Sequence, residues 1–271
     1  MESLTPTVWQ RGKTLGKGAF GVVSLAQILA GQTSDLPAVM AVKSAVVENS
    51  RSLRHEESVL GELQPCPHII RCFGSNVSME QGAQLYNLFL EFAAGGSLAD
   101  VAGDIPESDA RLYTKYILMG LRHIHEQGYV HCDIKPDNIL LVQNDDSSTK
   151  TLKIADFGFS LKVGKRVNKL RGTPPYQAPE SILRREYGTE VDIWALGCSV
   201  LELMTGKLPW NFEKSSEIPT MLDKIGFTEE LPEIPSGLST EARDFLGKCL
   251  IRDSKSRWTA DMLLRHPFVK T

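Results

Sequence analysis

The run Val130-His131-Cys132-Asp133-Ile134-Lys135-Pro136-Asp137-Asn138 sets an aspartate, a lysine and an asparagine a few residues apart. Asp133 is suited to orient and deprotonate a hydroxyl. Lys135, two residues on, can neutralise charge on a transferring phosphoryl group, and Asn138, five after the aspartate, can hold a magnesium ion. A loop chosen only for its turn residues would seldom arrive at this spacing.

Working outward, Asp156-Phe157-Gly158 follows an apolar strand candidate, Leu152–Ala155, and a carboxylate at a strand end suits a second metal ligand. Further on come Gly172-Thr173-Pro174-Pro175-Tyr176, Ala178-Pro179-Glu180 and Asp192-Ile193-Trp194-Ala195-Leu196-Gly197. Upstream, Gly16-Lys17-Gly18-Ala19-Phe20-Gly21-Val22-Val23 fits G-x-G-x-x-G-x-V, whose glycines let the backbone approach a triphosphate closely. Taken singly it reads equally well as a plain hairpin, and strand rather than helix follows it, unlike a dinucleotide fingerprint. Ala41-Val42-Lys43 ends in a lysine on an apolar strand, which is costly unless an anion meets it. Phosphate oxygens would serve, with Glu56 holding the ammonium; Glu57 is the alternative, and the E-x-x-x-L register to Leu60 favours Glu56. A solvated surface lysine is the plain reading of that residue alone. The order of all these motifs overrides the plain readings.

The pattern predicts a β-rich front and an α-rich back joined by Ala93-Ala94-Gly95-Gly96, an α+β fold in two lobes with a cleft between them. Strands are expected around Gly16–Ala26, Val39–Val42, Ile69–Phe73 and Leu85–Phe92, with one helix over Arg51–Leu63. Beyond the glycines, helices are expected from Pro106 to Gly128, over Val191–Met204, Glu241–Leu250 and Ala260–Leu264. Pro209–Pro235, rich in prolines and polar residues, reads as short elements and loops, and Asn144–Lys150 as a polar surface loop.

The order of glycine loop, lysine, helix glutamate, H-x-D-x-K-x-x-x-N-like loop, D-F-G and A-P-E resembles the eukaryotic protein kinases over about residues 9 to 268. The resemblance implies a bilobal fold, with an N-terminal extension at 1–8, an N-lobe at 9–92 and a C-lobe at 93–268. It implies ATP and Mg2+ as cofactors. Leu15, Gly16, Lys17, Gly18, Ala19, Phe20, Gly21, Val22, Val23, Ala41 and Lys43 would hold ATP, with Glu56 bracing Lys43. Glu91 and Ala93 would form the adenine hinge after a gatekeeper at Leu90. Asp133 would be the catalytic base, aided by Lys135, with Asn138 and Asp156 as magnesium ligands. Glu180 would pair with Arg257, Asp192 would brace the catalytic loop, and Leu60, Cys72, His131 and Phe157 match the stacked side chains that align the lobes. Lys135 and the Gly172-Thr173 segment match serine/threonine rather than tyrosine kinases. Trp9-Gln10-Arg11-Gly12-Lys13, Glu91-Phe92-Ala93-Ala94-Gly95-Gly96-Ser97-Leu98 and Gly172-Thr173-Pro174 resemble the MAP kinase kinase kinase branch, and Val130–Lys135 its plant MEKK-like members. That resemblance implies a MAP kinase kinase as the protein substrate, in stress or hormone signalling.

Two positions depart from the family. Cys132 stands where regulated kinases carry an arginine that receives an activation-loop phosphate. Between Asp156 and Glu180 the hydroxyl residues besides Tyr176 are Ser160 and Thr173. Ser160 lies too close to Asp156 to be the usual activating site, and Thr173 is expected to be a partner of Asp133 and Lys135. Activity without activation-loop phosphorylation is therefore expected. Gln177 replaces a hydrophobic residue on the surface that would receive the substrate residue after the acceptor; a surface solubility substitution is the plain reading. The chain ends soon after His266-Pro267-Phe268, which resemble the family's last helix, so little room is expected for an autoinhibitory or dimerising tail: either an excised catalytic domain or regulation from elsewhere is expected.

Bulk properties agree. The 271 residues are 42% hydrophobic and 23% charged with a net charge of −3, which gives no electrostatic reason to expect nucleic acid or an anionic membrane as partner. Five cysteines without a C-x-x-C pair argue against a disulfide framework or zinc site. With no signal-like or membrane-length apolar run, cytoplasm or nucleus is expected. A pseudokinase scaffold is disfavoured because Lys43, Asp133 and Asp156 are all present. A small-molecule phosphotransferase is disfavoured by the G-T-P-P-Y and A-P-E segments.

Overall fold

The computed structural model describes residues 9–18, 21–29, 36–143, 150–213 and 215–270. Residues 1–8, Ala19, Phe20 and the predicted loop over 144–149 lie outside the described residues. The chain divides into two compact units, Met1–Pro65 with Ile70–Ala94, and Cys66–Ile69 with Gly95–Thr271.

The first unit is an antiparallel sheet with one helix. In chain order its elements are β1 (Trp9–Gly18), β2 (Gly21–Ile28), β3 (Val39–Val46), α1 (Arg51–Leu63), β4 (Cys72–Glu80) and β5 (Ala83–Leu90), and the strand order is β1-β2-β3-β5-β4. Ala26, Met40, Val42 and Phe89 form a small core on which Trp9, Ile28, Leu36 and Phe73 pack. Helix α1 buries Leu53, Glu56, Val59, Leu60 and Leu63, a stripe at helical spacing with one carboxylate in it. The strand predicted over Ile69–Phe73 begins later, at Cys72. Ile69 is fully buried but makes only an isolated parallel bridge to Ile154, so its hydrophobicity reflects burial without a ladder.

The second unit is mainly helical. It contains α2 (Glu107–Glu126), β6 (Tyr129–Val130), β7 (Ile139–Gln143), β8 (Lys150–Ile154), β9 (Leu161–Lys162), α3 (Pro179–Arg184), α4 (Glu190–Thr205), α5 (Ile218–Phe227), α6 (Thr240–Cys249) and α7 (Ala260–Leu263). Two-stranded sheets pair β6 with β9 and β7 with β8. Helix α4 is buried continuously from Val191 to Leu201, which marks it as the central helix of this unit. It stops at Gly206, which takes the left-handed conformation that an αL cap needs. Through Pro209–Pro235, where short elements and loops are expected, the longest element is helix α5. Pro219 sits in its first turn, where a missing N–H costs nothing, and Met221 and Ile225 are buried one turn apart. Short helix α3 likewise starts with a proline, Pro179.

These strands and turns carry the candidate residues. Val130 closes β6, the run 131–138 leads into β7, and Asp156 follows β8 after Ala155.

Candidate active site

In the first unit, Lys43 lies on β3 between Val23 of β2 and Leu88 of β5. It is 6% exposed, and its Nζ sits 2.7 Å from Oε2 of the fully buried Glu56. Burying an ammonium is tolerable because a carboxylate from α1 meets it. Glu57 does not compete: its carboxylate accepts a hydrogen bond from the Tyr86 hydroxyl, which also reaches Ser75.

The glycines of the first turn divide into two kinds. At Gly16 and Gly18 an added Cβ would meet nothing within 4 Å. At Gly21 it would overlap the carbonyl oxygen of Ser44, and φ is +140°, so packing on β3 already demands glycine there. Gly18 and Gly21 pair at the end of the hairpin, with Lys17 opposite Val22 and Gly16 opposite Val23. Leu15 is partly exposed on β1, and Ala19 and Phe20 lie outside the described residues. Ala41 and Leu90 are register partners on β3 and β5, both nearly buried. After Leu90 the chain is held to Arg71, whose carbonyl accepts from the Glu91 N–H and whose N–H donates to the Glu91 carboxylate. Ala93 follows at the end of this unit, half-buried.

A network that the sequence did not suggest crosses the same sheet. Arg11 of β1 binds Glu80 of β4 through two hydrogen bonds of 2.9 Å and also donates to Ser44 and Asn87. Asn87 is fully buried, accepts from Ser44 and donates to Asn76 and Ser78. The Arg11 guanidinium holds the Glu80 carboxyl below the ordinary carboxylate range.

In the second unit, the run 131–138 is fixed from α4. The buried Asp192 accepts the backbone N–H groups of His131 and Cys132, each at 2.8 Å, and meets His125 Nε2 at 2.9 Å. The His131 ring accepts the Asp133 N–H at Nδ1, faces the Ala155 carbonyl with Nε2 at 3.1 Å, and packs edge-on against Phe157. This assigns the neutral tautomer protonated at Nε2. Asp133 is 6% exposed. Its Oδ1 accepts from Thr173 Oγ1 at 2.8 Å, its Oδ2 from Asn138 Nδ2 at 3.0 Å, and Lys135 Nζ lies 3.7 Å away. Lys135 in turn donates to Thr173 at 2.8 Å. Asn138 directs its amide nitrogen at Asp133, to the backbone carbonyl as well as the carboxylate, so its oxygen is the atom it can offer to a cation. Asp156 takes a left-handed conformation, φ 63°, with its carboxylate accepting from the Gly158 N–H. Among the described residues there is no cluster of three or more His, Cys, Asp and Glu able to hold a metal on its own. One amide oxygen and one carboxylate suit a magnesium ion held largely by phosphate oxygens and water.

Comparison with known proteins identifies this set of groups. The protein kinase domain family matches residues 9–269. The chain belongs to the protein kinase family. It is 46% identical over 272 residues to mitogen-activated protein kinase kinase kinase 20 of Arabidopsis thaliana, covering 96% of this chain and 78% of that one. It is 40% identical over 270 residues to Arabidopsis mitogen-activated protein kinase kinase kinase 17, covering 97% and 70%. Human mitogen-activated protein kinase kinase kinase 4 is 36% identical over 280 residues, which span 97% of this chain and 16% of the human one. These similarities make the chain a serine/threonine protein kinase of the MAP kinase kinase kinase family, with ATP and protein as its substrates.

In this kinase the segment between Asp156 and Glu180 is held by its own side chains. Arg171 donates to the Phe159 carbonyl at 2.9 Å, and its N–H reaches the Tyr187 hydroxyl at 2.8 Å. Gly172 has φ +91°, and an added Cβ would overlap the Cys132 carbonyl oxygen, so the chain must be glycine to approach that closely. Gln177 is the clearest correction to the sequence reading. It is no surface substitution: it is 6% exposed and donates to the carbonyls of Arg171 at 2.7 Å and Gly172 at 3.2 Å. Ser160 is fully buried and donates to the Phe157 carbonyl. Cys132 is buried, with its thiol pushed well above the ordinary range by burial and by nearby Asp192. Glu180 and Arg257 form a buried two-point ion pair at 2.7 and 3.2 Å. Removing either partner would strand a buried charge at a cost of about 3–5 kcal/mol. All five cysteines are free thiols, and no helix among the described residues is long and apolar enough to cross a membrane.

Proposed function

We propose that this kinase transfers the γ-phosphoryl group of ATP to serine or threonine hydroxyls of a MAP kinase kinase. The observation that carries the proposal is the hydrogen-bond set around Asp133. Thr173, Asn138 and Lys135 hold a nearly buried carboxylate in place, and a carboxylate so held can align a hydroxyl and accept its proton as the bond to phosphorus forms. Lys135 lies beside it to offset charge on the transferring group, and Lys43, kept oriented by Glu56, does the same at the nucleotide. Gly16, Gly18, Gly21, Val23 and Ala41 form the nucleotide-facing surface, with Glu91 and Ala93 as the adenine hinge. Asn138 and Asp156 are assigned as the magnesium ligands. When bound, that ion would neutralise phosphate charge.

The domain assignment is a single kinase domain over 9–268, with lobes at 9–92 and 93–268. A place in stress or hormone signalling follows from the resemblance of Val130–Lys135 to plant MEKK-like kinases, and cytoplasm or nucleus is the compartment that goes with free thiols. Independence from activation-loop phosphorylation is part of the same reading. Cys132 offers no cation to a phosphate, Ser160 is buried, and Thr173 is engaged with Asp133 and Lys135. The hydrogen bonds of Arg171 and Gln177 supply order that a phosphate gives elsewhere.

The test incubates the phosphatase-treated kinase with ATP, magnesium and a panel of inactive plant MAP kinase kinases, followed by phosphosite mapping. The expected result is phosphorylation of serine or threonine in at least one of them, at the rate of untreated enzyme. Loss of activity on dephosphorylation, with a mapped site between 157 and 179, would remove the independence claim. No transfer to any member of the panel would remove the substrate assignment.

A further inference from the structure

Between Asp156 and Glu180 there are five cations, Lys162, Lys165, Arg166, Lys169 and Arg171, and no acidic residue. This is a local reversal of sign in a chain whose net charge is −3. Within the second unit, Gly164–Asn168 forms one wall of a groove of about 710 Å³, and residues 184–188 form the other. The groove presents Lys165, Arg166, Arg184 and Arg185 against a single carboxylate, Glu186. Glu186 is already paired with Arg184 at 2.8 Å. Arg185 caps α3 by donating to the carbonyls of Ser181 and Ile182, which uses its hydrogens without neutralising its charge. The side chains of Lys165 and Arg166 are exposed and meet no carboxylate among the described residues. Like charges gathered around a concavity raise the potential there and cost stability unless an anion comes to them.

The groove adjoins the acceptor side of the kinase. Its basic wall runs on through Arg171 to Gly172 and Thr173, and Thr173 is hydrogen-bonded to Asp133. Its other wall follows α3 and includes Tyr187, whose hydroxyl accepts the Arg171 N–H. Chain continuity and hydrogen bonds thus link this groove to Asp133 through Tyr187, Arg171 and Thr173.

We propose that the Lys165–Arg166–Arg185 groove docks an acidic segment of the protein substrate, a run of Asp or Glu flanking the acceptor residue. The inference rests on the protein-kinase reading and adds substrate selection to it. Because the basic patch is confined to one groove of an otherwise acidic chain, an acidic peptide fits it better than an extended polyanion, which needs a long basic stripe.

The experiment uses the whole chain and three serine acceptor peptides: one with a short Glu run before the serine, one with the run after it, and one with Gln in its place. Steady-state kinetics are measured at low and high salt for wild type, Lys165→Ala/Arg166→Ala and Lys165→Glu/Arg166→Glu. For wild type, one Glu peptide should have a KM roughly tenfold below that of the Gln peptide, and added salt should erase the difference. The alanine pair should lose the preference with kcat and the Gln-peptide KM unchanged, and the charge-reversed pair should instead have a higher KM for the preferred Glu peptide than for the Gln peptide. Equal KM values for all three peptides on wild type would overturn the proposal. So would a Glu preference that survives both double variants, or Lys165/Arg166-dependent binding of single-stranded RNA or anionic vesicles without any Glu preference. Failure of wild type to phosphorylate any peptide would count instead against the kinase reading itself, which separates the two failures.

Discussion

Lys43 and Asp133 are buried to the same extent, 6% exposed each, and are held by different means. Lys43 is matched by a formal opposite charge, Glu56, supplied by another element, α1. Asp133 is held at its oxygens by a hydroxyl and an amide, with Lys135 farther off at 3.7 Å, on a backbone that Asp192 anchors. A charge pair between elements depends on where a helix lies, so anything that moves α1 changes the state of Lys43. The partners of Asp133, Asn138 from its own loop and Thr173 from 40 residues along the chain, all belong to the second unit, so this arrangement does not depend on where α1 lies. The first arrangement suits control and the second suits constancy.

Substitutions can break this contrast, and the largest effect is expected at the ion pair. Lys43→Met should lower turnover about 10²–10³-fold, read by phosphate transfer to a protein substrate, with a near-native circular dichroism spectrum. Wild-type activity in that variant would dismiss the role given to Lys43. Next comes the anchor. Asp192→Ala leaves two buried N–H groups without their acceptor, which should cost about 2–5 kcal/mol in denaturant unfolding. A cost under ~1 kcal/mol would show that the loop does not depend on α4.

The glycine turn sharpens the comparison at a smaller scale. Gly21→Ala should destabilise by about 2–4 kcal/mol because of the overlap with Ser44 and the positive φ. Gly18→Ala should stay within about 0.5 kcal/mol and raise KM for ATP instead. Equal thermal shifts for the two would contradict the division drawn between them. The smallest effect concerns Glu80. Its carboxyl is lowered chiefly by the hydrogen bonds from Arg11, so its contribution to stability is present above the unfolded carboxylate range and is lost as pH falls through the lowered folded value. Both partners are partly exposed, which limits the contribution to less than about 1 kcal/mol. Glu80→Gln should slightly flatten the acid limb of a stability–pH curve, and an unchanged limb would deny the Arg11–Glu80 pair any role.

Local patterns were legible in the sequence, and distant ones were not. Helix α1 and its carboxylate were readable because Glu56 and Leu60 lie one turn apart within a single amphipathic stripe. The partnership of Thr173 with Asp133 and Lys135 was readable only through resemblance to the kinases, since nothing local links residues so far apart. The Arg11–Ser44–Asn87–Glu80 network escaped because its members sit on four strands, and the motif that contains Arg11 says nothing of its partners. The bounds of helix α5 were not readable because Pro219 reads as a breaker, although a proline in the first turn is compatible with a helix. For Gln177 the sequence left a surface reading beside one in substrate recognition or loop packing; the surface reading fails because its amide is turned inward to two backbone carbonyls.

The most direct test is Asp133→Asn, with nucleotide binding, thermal stability and phosphate transfer measured on the same preparation. Asparagine keeps the size of the side chain, its acceptor oxygen for Thr173 and the backbone carbonyl that Asn138 also meets, while removing the proposed base and one acceptor for the Asn138 amide. ATP affinity and melting temperature should therefore stay near wild type while transfer falls about 10²–10⁴-fold. Transfer at the wild-type rate by this variant would contradict the account.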